Sequence, residues 1–143
     1  MVLAQYYNFV RYGRDGYAYV MKAMEENARA LATQLESGGE FELIGAEREQ
    51  LPLVAFKLAG ERAYDEFDVS WQLSAERGWM LPAYTMPPDA QQVKIMRALV
   101  KQTLSREQVD RLAGDLHQAC ETLEKKGGAH PRERHKAKRS PGY

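Results

Sequence analysis

The spacing of apolar residues along the chain predicts three helices. Over residues 3–36 apolar side chains recur every three or four positions, which indicates one long helix. A second helix is predicted over residues 66–77, because Asp65 is a suitable N-cap and a glycine follows the last position. A third begins after Ser105, which opens a capping box, and ends near Gly127. The side chains expected to face the core are Phe67, Trp71 and Leu73 on the second helix and Val109, Leu112, Leu116, Ala119 and Leu123 on the third.

Four short segments between these helices have the composition of β-strands. Residues 41–44 and 51–58 lie between the first two helices, and residues 79–84 and 93–100 lie between the second and the third. Connections as short as these do not allow an all-parallel sheet. The sequence therefore predicts an α+β domain, in which an antiparallel or mixed four-stranded sheet carries its helices on one face.

The first half of the long helix differs from the second half because large apolar side chains surround it. A helix that is apolar on all sides needs cover on more than one side. We therefore expect residues 3–20 to pack against another protein surface, and we expect the isolated chain to self-associate through them as a homo-oligomer. The side chains concerned are Tyr6, Tyr7, Phe9, Val10, Tyr12, Tyr17 and Tyr19.

Composition and charge exclude several classes of protein. The chain has 20 basic and 20 acidic residues among 143, so its net charge does not predict a nucleic-acid-binding or membrane-surface protein. Its apolar runs are too short for a transmembrane helix, and its first residues lack the pattern of a signal peptide. Cys120 is the single cysteine, which excludes an internal disulfide. We expect a cytoplasmic protein.

The last residues differ in composition from the rest of the chain. Residues 124–143 contain seven basic and two acidic residues, whereas residues 1–123 contain 13 and 18. Because few apolar side chains follow position 126, we expect one domain over residues 1–126 and a basic, disordered tail over residues 127–143.

Arg97 is the most informative candidate for a functional residue. It interrupts the apolar segment VKIMRALV in the middle of a strand that is otherwise suited to burial. Because an unpaired guanidinium is costly to remove from water, Arg97 needs a carboxylate partner within the protein, a position at the edge of the sheet, or an anionic ligand. The residues alone leave these alternatives open.

The other candidate groups do not form a complete active site. His117 and Cys120 share a face of the last helix, but a metal would need further ligands that the sequence does not place nearby. Cys120 also lacks an identifiable general base. Gly13 and Gly16 lie in a helical pattern rather than in a phosphate-binding loop, and the aromatic cluster at Tyr6 is more typical of an interface than of a stacking site.

Two segments of the chain carry motifs of a known family. They are LPLVAFKL at residues 51–58 and RGWMLPAYTMPPDAQQVKIMRALV at residues 77–100, in which GW, PAYTMP and MR occur in one register. These segments resemble the C-terminal small domain of the pyridoxal-phosphate-dependent glutamate decarboxylases, which are fold type I enzymes. The likeness includes AQYYNFVRYGRDGYAYVM at residues 4–21 and covers about residues 3–123.

This resemblance implies decarboxylation of L-glutamate to 4-aminobutyrate and carbon dioxide, with pyridoxal 5′-phosphate as the cofactor. In the family, the arginine of the MR pair reaches the α-carboxylate of the substrate and orients the bond that breaks. The resemblance therefore assigns substrate binding to Arg97. It also implies two kinds of partner, the large cofactor-binding domain of the same protein and further copies of the subunit.

The resemblance covers only part of the family's active site. The Schiff-base lysine belongs to a motif of the large domain, as do the groups that hold the pyridine ring and the phosphate. None of these motifs occurs in this chain. The chain has one His-Lys dipeptide, His135-Lys136, but it lies in a polar segment without the flanking residues of the Schiff-base motif. We therefore expect no catalytic or cofactor-binding residue in the chain, and no decarboxylation by the chain alone.

The extreme C-terminus is a regulatory element in some members of the family. The basic tail lacks the bulky apolar anchors of a calmodulin-binding helix, since Tyr143 is its only aromatic residue. The sequence therefore does not favour calmodulin as a partner. A pH-linked role for the tail, through His130 or His135, stays open.

Two alternatives to a decarboxylase domain also remain. The first is a free-standing α+β module that binds an anion or regulates a partner, with Arg97 as its anchor and the first helix as a dimer interface. The second is an assembly element without a ligand. A reading frame that continues upstream of Met1 into a cofactor-binding domain would favour the decarboxylase.

Overall fold

The computed structural model describes residues 2–45 and 51–127, which form three helices and four strands in the predicted order. The elements are α1 (Val2–Gly38), β1 (Phe41–Leu43), β2 (Leu53–Leu58), α2 (Glu66–Arg77), β3 (Ala83–Thr85), β4 (Lys94–Leu99) and α3 (Arg106–Lys125). Almost all of the predicted tail, including His130, His135 and Tyr143, lies outside the described residues. Among the described residues, no helix combines the length and the apolar character needed to span a bilayer.

The four strands form one antiparallel sheet in the order β1-β2-β4-β3, which confirms the predicted α+β class. The central pair is β2 with β4, in which Ala55 lies opposite Arg97. Because side chains alternate across a strand, Met96 and Ala98 are buried in the core, whereas Arg97 and Leu99 are exposed on the other side. Arg97 therefore lies on the open face of the sheet.

The core lies between the inner face of the sheet and the three helices. Phe56 of β2 is the largest of the fully buried side chains among the described residues. Its ring packs edge to face against that of Phe41 at a centroid distance of 5.2 Å. The stripe predicted on α3 is confirmed, because each of its residues is buried in this core.

The second helix has both predicted caps but turns a different side to the core. Val69 and Leu73, one helical turn apart, are fully buried, whereas Phe67 and Trp71 are only half-buried. The prediction that Trp71 and Leu73 share the core side was wrong. Residues two positions apart point about 160° away from each other around a helix, so the two side chains cannot face the same surface.

The predicted long first helix is confirmed as α1, and it contains a kink at Gly13 that the sequence did not indicate. This residue has φ 56° and ψ −169°, a conformation that is essentially restricted to glycine. The kink separates an N-terminal arm, residues 2–12, from the helix body, residues 14–38. In the arm, Tyr6 and Phe9 are 66% and 62% exposed. The helix body supplies the core with Ala28, Leu31 and Leu35.

The third strand begins later than the predicted range, residues 79–84. The indole N–H of Trp79 donates a hydrogen bond to Asp115 on α3 at 2.7 Å. The carbonyl of Leu81 accepts a hydrogen bond from the Ser70 hydroxyl on α2. These two hydrogen bonds hold residues 79–81 against α2 and α3, so pairing with β4 starts only at Ala83.

Gln72 on α2 is a buried polar residue whose side chain has no hydrogen-bond partner among the described residues. It is 1% exposed, and neither its amide nitrogen nor its amide oxygen is paired. A buried polar group without a partner destabilises the folded state, because it has lost its hydrogen bonds to water.

We expect the substitution Gln72→Met to raise the free energy of unfolding by about 1–2 kcal/mol, because the unpaired amide is replaced by an apolar side chain of similar length. Urea denaturation of both proteins measures the difference. The exposed Gln92→Met is the matched control and should leave stability unchanged. A less stable Gln72→Met variant would mean that the amide is hydrogen-bonded after all.

Candidate functional site

Arg97 lies on the inner strand β4 and on the open face of the sheet. Its strand, β4, has β2 on one side and β3 on the other, so the edge position considered from the sequence is wrong. The guanidinium forms no ion pair with a carboxylate of the described residues, so the internal ion pair is not found either. An anionic ligand is the alternative that the structure leaves open.

The aromatic ring of Tyr84 lies beside this guanidinium. The Cζ atom of Arg97 is 5.4 Å from the ring centroid, within the range of a cation–π interaction. The register of the sheet explains the contact, because Tyr84 lies opposite Ile95, and Ile95 is two residues from Arg97 on the same strand. Tyr84 could not be identified as a site residue from the sequence, because the contact depends on the register between two strands.

A groove of about 750 Å³ runs past Arg97. The described residues that line it include two cations, Arg97 and Lys101, and no acidic side chain. Apolar side chains surround them, and Leu51, Met80 and Leu99 are 67%, 91% and 56% exposed. Once another surface covers these side chains and excludes water, the attraction between an anion and the guanidinium becomes stronger.

The described residues do not fit a site for pyridoxal phosphate. The aldehyde of that cofactor needs a lysine inside a closed pocket. Lys101 is exposed, and the other described lysines form ion pairs at the surface. These are Lys22, Lys57, Lys94, Lys125 and Lys126, which pair with Glu26, Glu42, Asp65, Glu121 and Glu76 respectively.

His117 and Cys120 on α3 differ in exposure and in partners. Nδ1 of His117 lies 2.8 Å from Oε2 of Glu40, while Cys120 is buried. Burial raises the pKa of the Cys120 thiol to about 12, so the thiol is protonated and unreactive at neutral pH. No group of three side chains able to hold a metal ion occurs in the part of the chain that the structure describes.

Several curated proteins named glutamate decarboxylase are similar in sequence to most of this chain. No family model matches the chain. A glutamate decarboxylase of Petunia hybrida is 41% identical over 123 residues, which make up 86% of this chain and 24% of that protein. A glutamate decarboxylase of Aliivibrio fischeri is 36% identical over 126 residues, which make up 87% of this chain and 27% of that protein. The chain thus spans about a quarter of the length of these curated relatives.

Solved structures share the fold. The glutamate decarboxylase of Lactobacillus brevis superposes with a TM-score of 0.79 at 32% identity, over 85% of this chain and 27% of that one. The 4-hydroxyphenylacetaldehyde synthase of Rhodiola rosea superposes with a TM-score of 0.66 at 15% identity, over 79% of this chain and 24% of that one, which shows the fold alone. The resemblance seen in the sequence is therefore confirmed, and the chain is homologous to one part of the glutamate decarboxylases, consistent with their C-terminal domain.

Proposed function

We propose that this chain is the C-terminal domain of a glutamate decarboxylase and that Arg97 binds the α-carboxylate of L-glutamate. The observation that carries the proposal is the guanidinium on the open face of an inner strand, which has no carboxylate partner among the described residues. Similarity to decarboxylases supplies the chemical class of the anion, because their substrates carry a carboxylate next to the bond that breaks.

In this proposal Arg97 binds and orients the substrate rather than transferring a proton. A guanidinium presents a planar fork of N–H donors that can bind both oxygens of a carboxylate at once. Two parallel hydrogen bonds restrict the rotation of that carboxylate, so they also orient the bond to the α-carbon. The surrounding apolar side chains, Leu51, Met80 and Leu99, would exclude water from this ion pair when the groove is covered.

The rest of the active site would belong to the part of the longer protein that this chain does not span. Pyridoxal 5′-phosphate is the cofactor that we propose for the whole enzyme, held by a lysine and phosphate ligands outside the chain. By itself the chain should neither bind the cofactor nor decarboxylate glutamate. The cytoplasmic location and the division into residues 1–126 and 127–143 stay predictions.

A chimera tests this proposal. In it, residues 3–123 of the chain replace the matching segment of the Lactobacillus brevis glutamate decarboxylase, which the fold similarity makes feasible. We expect the chimera to release carbon dioxide from L-glutamate, and the same enzyme without the segment to release none. A chimera that is folded and carries the cofactor, as its absorbance would show, but is inactive would contradict the proposal. Anion binding by the isolated chain would then favour the free-standing module.

We also propose that the N-terminal arm, residues 2–12, forms part of an interface with another protein surface, such as a second copy of this chain in a homo-oligomer. Its exposed apolar side chains include Tyr6, Tyr7 and Phe9, which are 66%, 60% and 62% exposed. So many large apolar groups on one segment are typical of a surface that is covered in the assembled protein.

Sedimentation velocity tests this interface in the isolated chain. We expect a concentration-dependent dimer or larger species, because association would bury the aromatic side chains of the arm. The double variant Tyr6→Glu with Phe9→Glu should sediment as a monomer, whereas the control Gln91→Glu with Gln92→Glu, in an exposed turn, should associate like the parent. A parent chain that is monomeric at every concentration would contradict the proposal.

A further inference from the structure

We propose that Tyr84 is a positioning residue for Arg97, and that it thereby sets how tightly the enzyme holds the carboxylate of its substrate. This inference rests on the proposed role of Arg97 as the carboxylate ligand. Its basis is the contact in which Cζ of Arg97 lies 5.4 Å from the centroid of the Tyr84 ring.

Tyr84 provides the contact that holds the Arg97 side chain in place. Among the described residues, the guanidinium makes neither an ion pair nor a hydrogen bond, so the ring is the interaction that restricts its rotamers. A long, exposed arginine side chain loses conformational entropy when a ligand immobilises it. A guanidinium that already rests against an aromatic ring has lost part of that freedom before the ligand arrives, which improves binding.

The contact leaves the hydrogen-bond donors of Arg97 available. A cation–π interaction uses the positive charge of the guanidinium and the negative face of the ring. The Tyr84 hydroxyl makes no hydrogen bond with the guanidinium, so the fork of N–H groups is free to bind a carboxylate. Tyr84 can therefore position Arg97 without competing with the substrate.

The backbone holds the two side chains in a fixed relation. Tyr84 lies in β3, between the pairs Ala83 with Met96 and Thr85 with Lys94, so its register against β4 is fixed on both sides. The two side chains therefore stand on the same face as diagonal neighbours, a distance that an aromatic and an arginine side chain can bridge. The contact follows from the sheet and does not depend on a mobile loop.

Proton NMR on the 143-residue chain tests the geometry without any cofactor or activity. The Arg97 side-chain protons should be shifted upfield by the ring current of Tyr84. Tyr84→Phe, which keeps the ring, should retain that shift, and Tyr84→Leu should remove it. The control Tyr19→Leu, an exposed tyrosine of α1, should leave the Arg97 signals unchanged. Arg97 signals at random-coil positions in the parent chain would overturn the inference.

Steady-state kinetics on the chimera then test the consequence for the substrate. We expect Tyr84→Leu to raise the KM for L-glutamate about 3- to 30-fold, the range that corresponds to a cation–π contact, while Tyr84→Phe changes it less than about twofold. A residue that acts only on stability would reduce the number of cofactor-loaded sites and leave KM unchanged. If Tyr84→Leu does not fold, Tyr84→Thr takes its place, because threonine is well accommodated in strands.

The outcomes separate this inference from the proposed function. If Arg97→Ala abolishes activity but removing the ring at Tyr84 leaves KM unchanged, Arg97 binds the carboxylate without help from Tyr84, and the inference is wrong. If neither substitution affects the reaction, Arg97 does not bind the substrate, and the roles proposed for Arg97 and for Tyr84 are both wrong. A raised KM in the Tyr84 variant, together with the lost ring-current shift, would support both.

Discussion

Replacing Arg97 by alanine is expected to lower kcat/KM for L-glutamate about 100- to 1,000-fold in the chimera, the range seen when one preorganised charged or polar contact is removed from an active site. The substitution deletes a positive charge and a two-pronged hydrogen-bond donor from a groove that is otherwise lined mainly by apolar side chains. Carbon dioxide release at several concentrations of L-glutamate measures the loss, and the absorbance of the cofactor reports the number of loaded sites.

Two further variants show whether the loss of kcat/KM in Arg97→Ala is specific to the guanidinium of Arg97. Arg97→Lys keeps the charge but not the planar fork, so its activity should lie between those of the parent and Arg97→Ala. Arg111→Ala removes an exposed arginine of α3 and should leave activity unchanged. Because the Arg97 side chain is exposed, its removal should not unfold the domain. Full activity in a cofactor-loaded Arg97→Ala chimera would show that the carboxylate binds elsewhere.

Replacing Phe56 by alanine is expected to lower the free energy of unfolding of the chain by about 3–5 kcal/mol. Phe56 is completely buried, and its ring packs edge to face against Phe41. Removing the ring takes away both its burial and its contacts, and it leaves a cavity that the neighbouring side chains fill only in part. Urea denaturation followed by circular dichroism measures the change.

Leu99→Ala is the matched control, because Leu99 lies on the adjacent strand but faces the open side of the sheet and is 56% exposed. Its substitution should change the stability of the isolated chain by less than about 0.5 kcal/mol. Equal effects at the two positions would mean that the faces of the sheet are assigned incorrectly. The location of Arg97 on the open face would then be wrong as well, so this pair of variants also tests the basis of the proposed site.

Helix ends and helix order could be predicted from the sequence because they depend on residues close together in the chain. Asp65 and Ser105 cap α2 and α3 through hydrogen bonds to backbone groups two or three residues away. The spacing of apolar residues on α3 likewise predicted its buried side without reference to the rest of the protein. Helix caps and buried helix sides can therefore be predicted from one segment of the chain without knowledge of the others.

The predictions that were wrong or incomplete depended on backbone geometry or on contacts between distant segments. Trp79 belongs to a plausible strand by composition, but its hydrogen bond to Asp115 on α3 delays the start of β3. Gly13 fits a helical pattern of apolar residues, and nothing in that pattern indicates that its backbone adopts a positive φ. Neither feature is visible in the local spacing of apolar residues.

The candidate site likewise has one part that the sequence indicates and another part that only the fold reveals. Arg97 could be identified from its own strand, because a charged residue in an apolar segment is conspicuous. Its surroundings could not be identified in this way. Tyr84 contacts Arg97 only after β3 and β4 have paired, and residues from several segments of the chain line the groove. A single sequence therefore indicates the charge, whereas the groups that position and surround it require the fold.

The central strands of the sheet, β2 and β4, are far apart in the sequence, since residues 59–93 with α2 and β3 lie between them. Closing so long a loop costs conformational entropy before the pair gains any contacts, which slows folding. During synthesis β1 and β2 can form a hairpin early, but the core in which Phe56 is buried is incomplete until β4 and α3, which supply part of it, have left the ribosome. That interval is when the nascent domain is most prone to aggregate.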